Sequence, residues 1–184
     1  MVKTLVLFSS PNRTGNTGIL LDSFLKRCQG EVEIINVFGL RVKPCNDCKF
    51  CRSSKNCVNN DDMNELYEKV ENCDAVVIAS PMYFTSFPAP LKTVIDRFQV
   101  YWSRKYIHKD ATPFKRKKGI LIMTSGLKGI PAFSHCEAMM KQFFSLVNAE
   151  AVQPLYADGT DKNPVKDEAD ILNNAIARGA EFCG

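Results

Sequence analysis

Short runs of aliphatic and β-branched residues alternate along this chain with stretches of helical periodicity. The apolar runs lie at Thr4 to Phe8, Val32 to Val37, Ala75 to Ala79, Gly119 to Thr124 and Ala151 to Leu155. Several are apolar without interruption, which suits strands covered on both faces of a parallel sheet. Between them Leu20, Phe24 and Cys28 recur every four residues, flanked by Leu21 and Leu25. Met63, Leu66, Tyr67 and Val70 make a second stripe, and Leu91, Val94, Ile95 and Phe98 a third. Met139, Met140, Phe143 and Val147 make a fourth, and Ala169, Leu172, Ile176 and Gly179 the last. Pro90 and Pro131 suit the first turns of the third and fourth helices. Asp62 is placed to cap the second, with Glu65 closing a capping box. Five strands alternating with five helices predict an α/β, doubly wound, three-layer sandwich around a parallel sheet.

Composition changes this picture little. The chain has 184 residues, 45% hydrophobic and 24% charged, which fits one domain over residues 1–184 with one sizeable core. A net charge of +4, with no basic stripe interleaved with aromatics, argues against nucleic acid. The basic run Lys115 to Lys118 reads as a solvated loop end, or as a docking patch for an acidic donor or a phosphate. No apolar run approaches the ~18 residues of a membrane span. Met1-Val2-Lys3 leads straight into the first strand, so no signal peptide is expected. The expected location is cytoplasmic, where thiols stay reduced.

In that setting eight cysteines need a reason other than disulfides. Cys28, Cys73, Cys136 and Cys183 stand in apolar surroundings and read as small buried core residues. The other four, Cys45, Cys48, Cys51 and Cys57, crowd into a stretch of weak periodicity, about residues 38–61. A long loop in a compact domain is usually functional. Closely spaced thiolates suit a [4Fe–4S] cluster, whose sulfur ligands converge on a compact core. Structural zinc is a poorer match, because its ligands usually split into two separated pairs. Free thiols, or thiols that pair on oxidation, are the third reading.

The first strand runs into Ser9-Ser10-Pro11-Asn12-Arg13-Thr14-Gly15-Asn16-Thr17, and a helix follows. Ligands of open parallel sheets bind beyond the carboxyl ends of the strands, and a helix N-terminus there favours an anion. The hydroxyls of Ser10 and Thr17, the amide of Asn16 and the charge of Arg13 suit a monophosphate such as that of FMN. Ordinary helix capping explains the same residue types. Neither a P-loop nor a Gly-x-Gly-x-x-Gly fingerprint is present. Ser80-Pro81-Met82-Tyr83-Phe84 and Thr124-Ser125-Gly126-Leu127 would emerge on the same sheet edge. Tyr83 and Phe84, with Gly126 allowing close approach, could form a flat slot for a flavin ring, or serve as buried loop anchors. His108 and His135 lie in no motif and read as surface or structural residues. Asp96 and Arg97 read as packing or interface residues.

Ser10-Pro11 with Gly15-Asn16-Thr17, Ser80-Pro81-Met82-Tyr83, and Leu91-Lys92 with Ile95-Asp96-Arg97 together resemble the NADPH-dependent FMN reductase superfamily. Pro44-Cys45, Cys48, Cys51, Cys57-Val58 and Asp61-Asp62-Met63 resemble the insert of its iron–sulfur flavoproteins. The resemblance runs from about Lys3 to Gly126. It implies a flavodoxin-like fold with a five-stranded sheet in the order 2-1-3-4-5. It implies an FMN-dependent oxidoreductase in which a [4Fe–4S] cluster relays electrons to the flavin. Ser10, Arg13, Asn16 and Thr17 would hold the phosphate. Pro81, Met82, Tyr83, Phe84, Ser125 and Gly126 would line the flavin, and Cys45, Cys48, Cys51 and Cys57 would bind the cluster. NAD(P)H or ferredoxin would donate electrons, a small molecule would accept them, and a homodimer or homotetramer would form. A cluster-free NAD(P)H-dependent FMN or quinone reductase, or a flavodoxin-like carrier without enzymatic activity, are the alternatives. Asp47 and Ser9 stand where family members often carry glycine. An acid beside a thiolate cluster would lower its potential, or would mark a site that holds none.

Overall fold

The computed structural model describes residues 1–110, 115–129 and 133–184. Its strands are β1 (Lys3–Phe8), β2 (Glu31–Asn36), β3 (Ala75–Pro81), β4 (Lys117–Thr124), β5 (Ala149–Ala151) and β6 (Leu155–Ala157). All pairings are parallel, in the order β2-β1-β3-β4-β5, with β6 also on β4. This is the flavodoxin-like order. The expected strand from Ala151 to Leu155 is instead two short strands in one lane. Pro154 lies in the break, where a proline cannot donate to the ladder.

The helices are α1 (Asn16–Leu25), α2 (Phe50–Ser53), α3 (Met63–Asn72), α4 (Ala89–Arg97), α5 (Gln99–Tyr106), α6 (Phe133–Leu146) and α7 (Ala169–Cys183). The two faces of the sheet are buried separately, because side chains alternate along each strand. Val6, Phe8, Val77, Ala79, Ile120 and Ile122 pack under α1 and α7 with Leu20, Phe24, Ala175 and Phe182. Leu5, Leu7, Val76, Ile78, Leu121 and Met123 pack on the other face with residues of α3, α4, α5 and α6. Short α2 and all of α5 were not foreseen. The face that α7 buries is centred on Ala175, Gly179 and Phe182. The assignment of Pro131 to the start of α6 lies outside the described residues.

Three expectations are corrected. The Asp62–Glu65 capping box does not form: Asp61 Oδ1 accepts from the Met63 N–H (3.1 Å), while Asp62 Oδ2 accepts from the Arg41 N–H (2.7 Å). Of the run Lys115 to Lys118, Lys115 and Arg116 are an exposed loop end and Lys118 is exposed, but Lys117 is not solvated. Lys117 begins β4, is buried, and donates to the Val147 carbonyl (3.3 Å); burial lowers its pKa. Cys73 and Cys136 are buried free thiols, but Cys28 and Cys183 form a disulfide. The cause is the close packing of α1 on α7. Gly179 lies so near the Phe24 carbonyl that the two cysteines come to a Cα separation of 5.0 Å, within bonding range.

Candidate functional site

At the carboxyl edge of the sheet, the loops after β1, β3, β4 and β6 enclose a cleft of about 610 Å³. The register puts Phe8 opposite Ala79 and Pro81 opposite Thr124, so the first three loops leave the sheet at nearly one level. Ser10, Asn16 and Thr17 line one end of the cleft. Ser10 Oγ closes a tight turn, donating to the Asn12 carbonyl (3.2 Å) and accepting from the Asn12 N–H (3.3 Å). Asn16 Oδ1 accepts from the Val165 N–H (3.0 Å), so its amide nitrogen is the group left for a ligand. Thr17 Oγ1 shares a 2.7 Å hydrogen bond with Thr124 Oγ1, tying α1 to β4. No side chain caps α1. Its first-turn N–H groups have no partner within the helix, the arrangement that suits an anionic group. Arg13 does not join them. It pairs with Asp22, donates to the Gly18 carbonyl and lies over the Phe8 ring.

The other end of the cleft carries Pro81, Met82, Tyr83, Phe84, Ser125 and Gly126. The Met82 N–H donates to the Thr124 carbonyl (2.8 Å), fixing the β3 loop on the β4 loop. Tyr83 and Ser86 bond to each other across a tight turn whose central residues, Phe84 and Thr85, have φ of 47° and 60°. Two consecutive non-glycine residues in the left-handed region cost of order 1–3 kcal/mol each, and such strain gathers at ligand sites. Phe84 is wholly exposed at this tip and Tyr83 is half-exposed, so neither is a buried anchor. A Cβ on Gly126 would meet the end of the exposed Asp161 side chain at 2.4 Å, so the glycine lets that carboxylate lie close against the β4 loop.

Sequence reasoning missed Thr160 and Asp161 on the far wall. The Thr160 N–H donates to the Ser125 carbonyl (3.0 Å) and the Asp161 N–H to that of Gly126 (3.3 Å). The available signal was Asp158-Gly159, a turn dipeptide directly after a strand. Gly159 has φ of 69°.

The cysteine segment folds at the carboxyl end of α4, where Arg97 lies. Cys45, Cys48, Cys51 and Cys57 line one narrow cavity, closed by Arg97, Gln99 and Val100. All four are free thiols; Cys45 and Cys48 are exposed. Among the described residues, no three His, Cys, Asp or Glu side chains are gathered as metal ligands. The backbone turns sharply around Cys48, because Asp47 and Lys49 have φ of 53° and 62°. That left-handed geometry explains why glycine suits position 47. The unforeseen α5 anchors the segment. Ser103 Oγ donates to the Cys51 carbonyl (2.7 Å), which also meets His108 Nε2 (2.9 Å). Arg104 Nε donates to the Lys55 carbonyl (2.6 Å). His108 thus has a structural role. Burial pushes the Cys51 thiol up, and pushes Cys73 and Cys136 up to about 11.

Beneath the segment lies a buried ion pair. Arg97 donates to Asp61 through Nη1 (2.6 Å) and Nη2 (3.2 Å), and to the Lys43 carbonyl (2.8 Å). Burial opposes the charge on Asp61, but hydrogen bonds from Arg97 and from the Lys43 and Met63 N–H groups outweigh it and lower its pKa.

A parallel sheet with this strand order and a cleft at its switch edge defines a flavodoxin-like protein. Solved structures agree on the fold. An NAD(P)H:quinone oxidoreductase from Methanothermobacter marburgensis superposes with a TM-score of 0.76 at 18% identity, covering 97% of this chain and 94% of that one. An FMN-dependent NADH-azoreductase from Bacillus anthracis in complex with FMN superposes with a TM-score of 0.61 at 16% identity, covering 100% and 98%. Residues 2–162 match the NADPH-dependent FMN reductase family, and the chain belongs to that family. Among curated relatives, an iron-sulfur flavoprotein from Archaeoglobus fulgidus is 37% identical over 106 residues, 56% of this chain and 48% of its own length. Another from the same organism is 32% identical over 120 residues, 64% and 58%. The chain thus spans about half the length of the curated relatives it matches. No helix among the described residues is long and apolar enough to cross a membrane.

Proposed function

We propose that this chain is an FMN-dependent oxidoreductase that passes electrons to a small-molecule acceptor. The observation that carries the reading is the cleft at the carboxyl edge, with an uncapped helix N-terminus at one end and an apolar, strained loop at the other. Ser10, Asn16, Thr17 and the first N–H groups of α1 would hold the phosphate. Pro81, Met82, Tyr83, Phe84, Ser125 and Gly126 would line the ring and keep water from it. Bound FMN would supply the redox chemistry, accepting a hydride or single electrons. Arg13, committed to Asp22, would act by bracing the loop. Anaerobically prepared protein should take up one FMN with quenched flavin fluorescence. Protein that retains none in excess FMN would refute the reading.

Within this proposal Cys45, Cys48, Cys51 and Cys57 bind a [4Fe–4S] cluster that relays electrons to the flavin. Four thiols on one cavity, and relatives named as iron-sulfur flavoproteins, support it. The donors fit in chemistry: four soft thiols line one cavity together with Arg97, whose Nε–H is buried without a partner. Metal binding often completes the folding of such a loop, which would draw the thiols together. Four irons and four sulfides per chain are expected; zinc, or no metal, would refute the cluster alone.

A second reading, a cluster-free NAD(P)H-dependent quinone reductase, is favoured by an FMN-dependent NADH:quinone oxidoreductase from Pseudomonas syringae, 33% identical over 93 residues. Flavin reduction by NAD(P)H at catalytic rates without iron would select it. Reduction only through ferredoxin would select the relay, and no turnover with either donor would leave a simple carrier. A homodimer or homotetramer completes the proposal, with one flavin domain over residues 1–184 interrupted by the insert at about 38–61. A cytoplasmic setting suits the four loop thiols, and sedimentation would test the assembly.

A further inference from the structure

Among the described residues, Arg97 is the largest fully buried side chain, 1% exposed. A buried guanidinium persists only when partners compensate its lost hydration. Asp61 and the Lys43 carbonyl account for both terminal nitrogens. They do not account for Nε, a buried donor with no acceptor. Leaving such a group unsatisfied costs about 1–3 kcal/mol. Arg97 is also among the residues that line the cavity of the four loop cysteines.

We propose that Arg97 Nε–H donates a hydrogen bond to sulfur in the four-cysteine site and so raises its reduction potential. The inference rests on the iron–sulfur reading above and goes beyond it by naming the residue that tunes the site. Hydrogen bonds to sulfur and local charge set such potentials. Asp61 offsets the charge of Arg97, so the N–H contact is the distinguishing lever. A donor to sulfur stabilises the reduced, more negative state. Removing it therefore lowers the potential.

The test uses full-length protein assembled anaerobically with iron, sulfide and FMN. Arg97→Lys keeps the cation and removes Nε. The pair Arg97→Gln with Asp61→Asn removes both charges together and leaves no buried ion unpaired. Redox titrations followed by electron paramagnetic resonance should show both variants at least tenfold harder to reduce at a fixed ambient potential, about 59 mV for one electron. The flavin titration in the same samples should not move. In wild-type protein labelled with [15N]arginine, a nitrogen coupling to the reduced site is expected. This second measurement needs no variant to fold. Iron–sulfur sites that titrate like wild type, or labelled wild type without the coupling, would overturn the role of Arg97 alone. Wild-type protein that assembles no iron and sulfide would overturn the underlying reading, and the inference with it.

Discussion

Gly18 offers a direct test of the phosphate loop. A Cβ on this residue would stand 1.8 Å from the Arg13 carbonyl oxygen and 2.8 Å from its carbon. Real Cβ contacts do not fall below 3.0 Å, so the loop or the helix must retreat by about 1.2 Å. Gly18→Ala would gain about 0.5–1 kcal/mol from helix propensity. Overpacking of this kind costs about 1–3 kcal/mol, and here the obstacle is backbone, so the clash wins. The displaced element is the turn that carries Ser10 and leads into Asn16 and Thr17. FMN affinity should fall about 5- to 150-fold, the equivalent of that cost. Gly179→Ala is the matched control, since its Cβ would stand 1.7 Å from the Phe24 carbonyl oxygen, at the opposite end of α1. It should lower the melting temperature without changing the FMN dissociation constant. Fluorescence quenching and thermal melts read the two effects separately. Wild-type affinity in Gly18→Ala would refute the claim that this turn holds the phosphate.

Three further outcomes are expected. Asp61→Asn leaves Arg97 buried without its anion and should destabilise the protein by about 3–5 kcal/mol in urea unfolding. Because the folded pKa of Asp61 is depressed, its stabilisation is full above the unfolded value near 3.9 and fades as pH falls through the folded value; the variant should lack this acid dependence. Cys28→Ser should cost about 2–5 kcal/mol under oxidising conditions and match the wild type in reductant, read by paired melts. Ser9 Oγ is buried without a partner, so Ser9→Ala should be neutral or stabilising by about 1 kcal/mol.

Much of the fold was legible because apolar alternation is a local signal. Leu5 to Phe8 and Val76 to Ala79 report burial on both faces without any knowledge of neighbours. The fifth lane was harder, because Pro154 interrupts a strand whose two halves pair with β4 independently. The cleft was half legible. Ser10 and Ser125 advertise a loop after a strand, whereas Thr160 and Asp161 reach the same cleft only through tertiary packing. Lys117 shows the opposite failure: a charged residue reads as solvent-facing until a distant carbonyl supplies the partner, and Val147 is not near in sequence. Arg97 is buried, as a packing residue should be, but its partner Asp61 lies too far away in sequence to be read from it. The Cys28–Cys183 bond was invisible for the same reason, its ends lying 155 residues apart.

Helix α4 follows the strained Tyr83–Ser86 turn after only two residues and ends on Arg97 at the cysteine cavity. Nine helical residues rise about 14 Å. A rod of fixed length therefore serves as the ruler between the two chambers. Any change of register within it would alter their spacing and their relative rotation at once, so neither chamber can be redesigned without re-aiming the other.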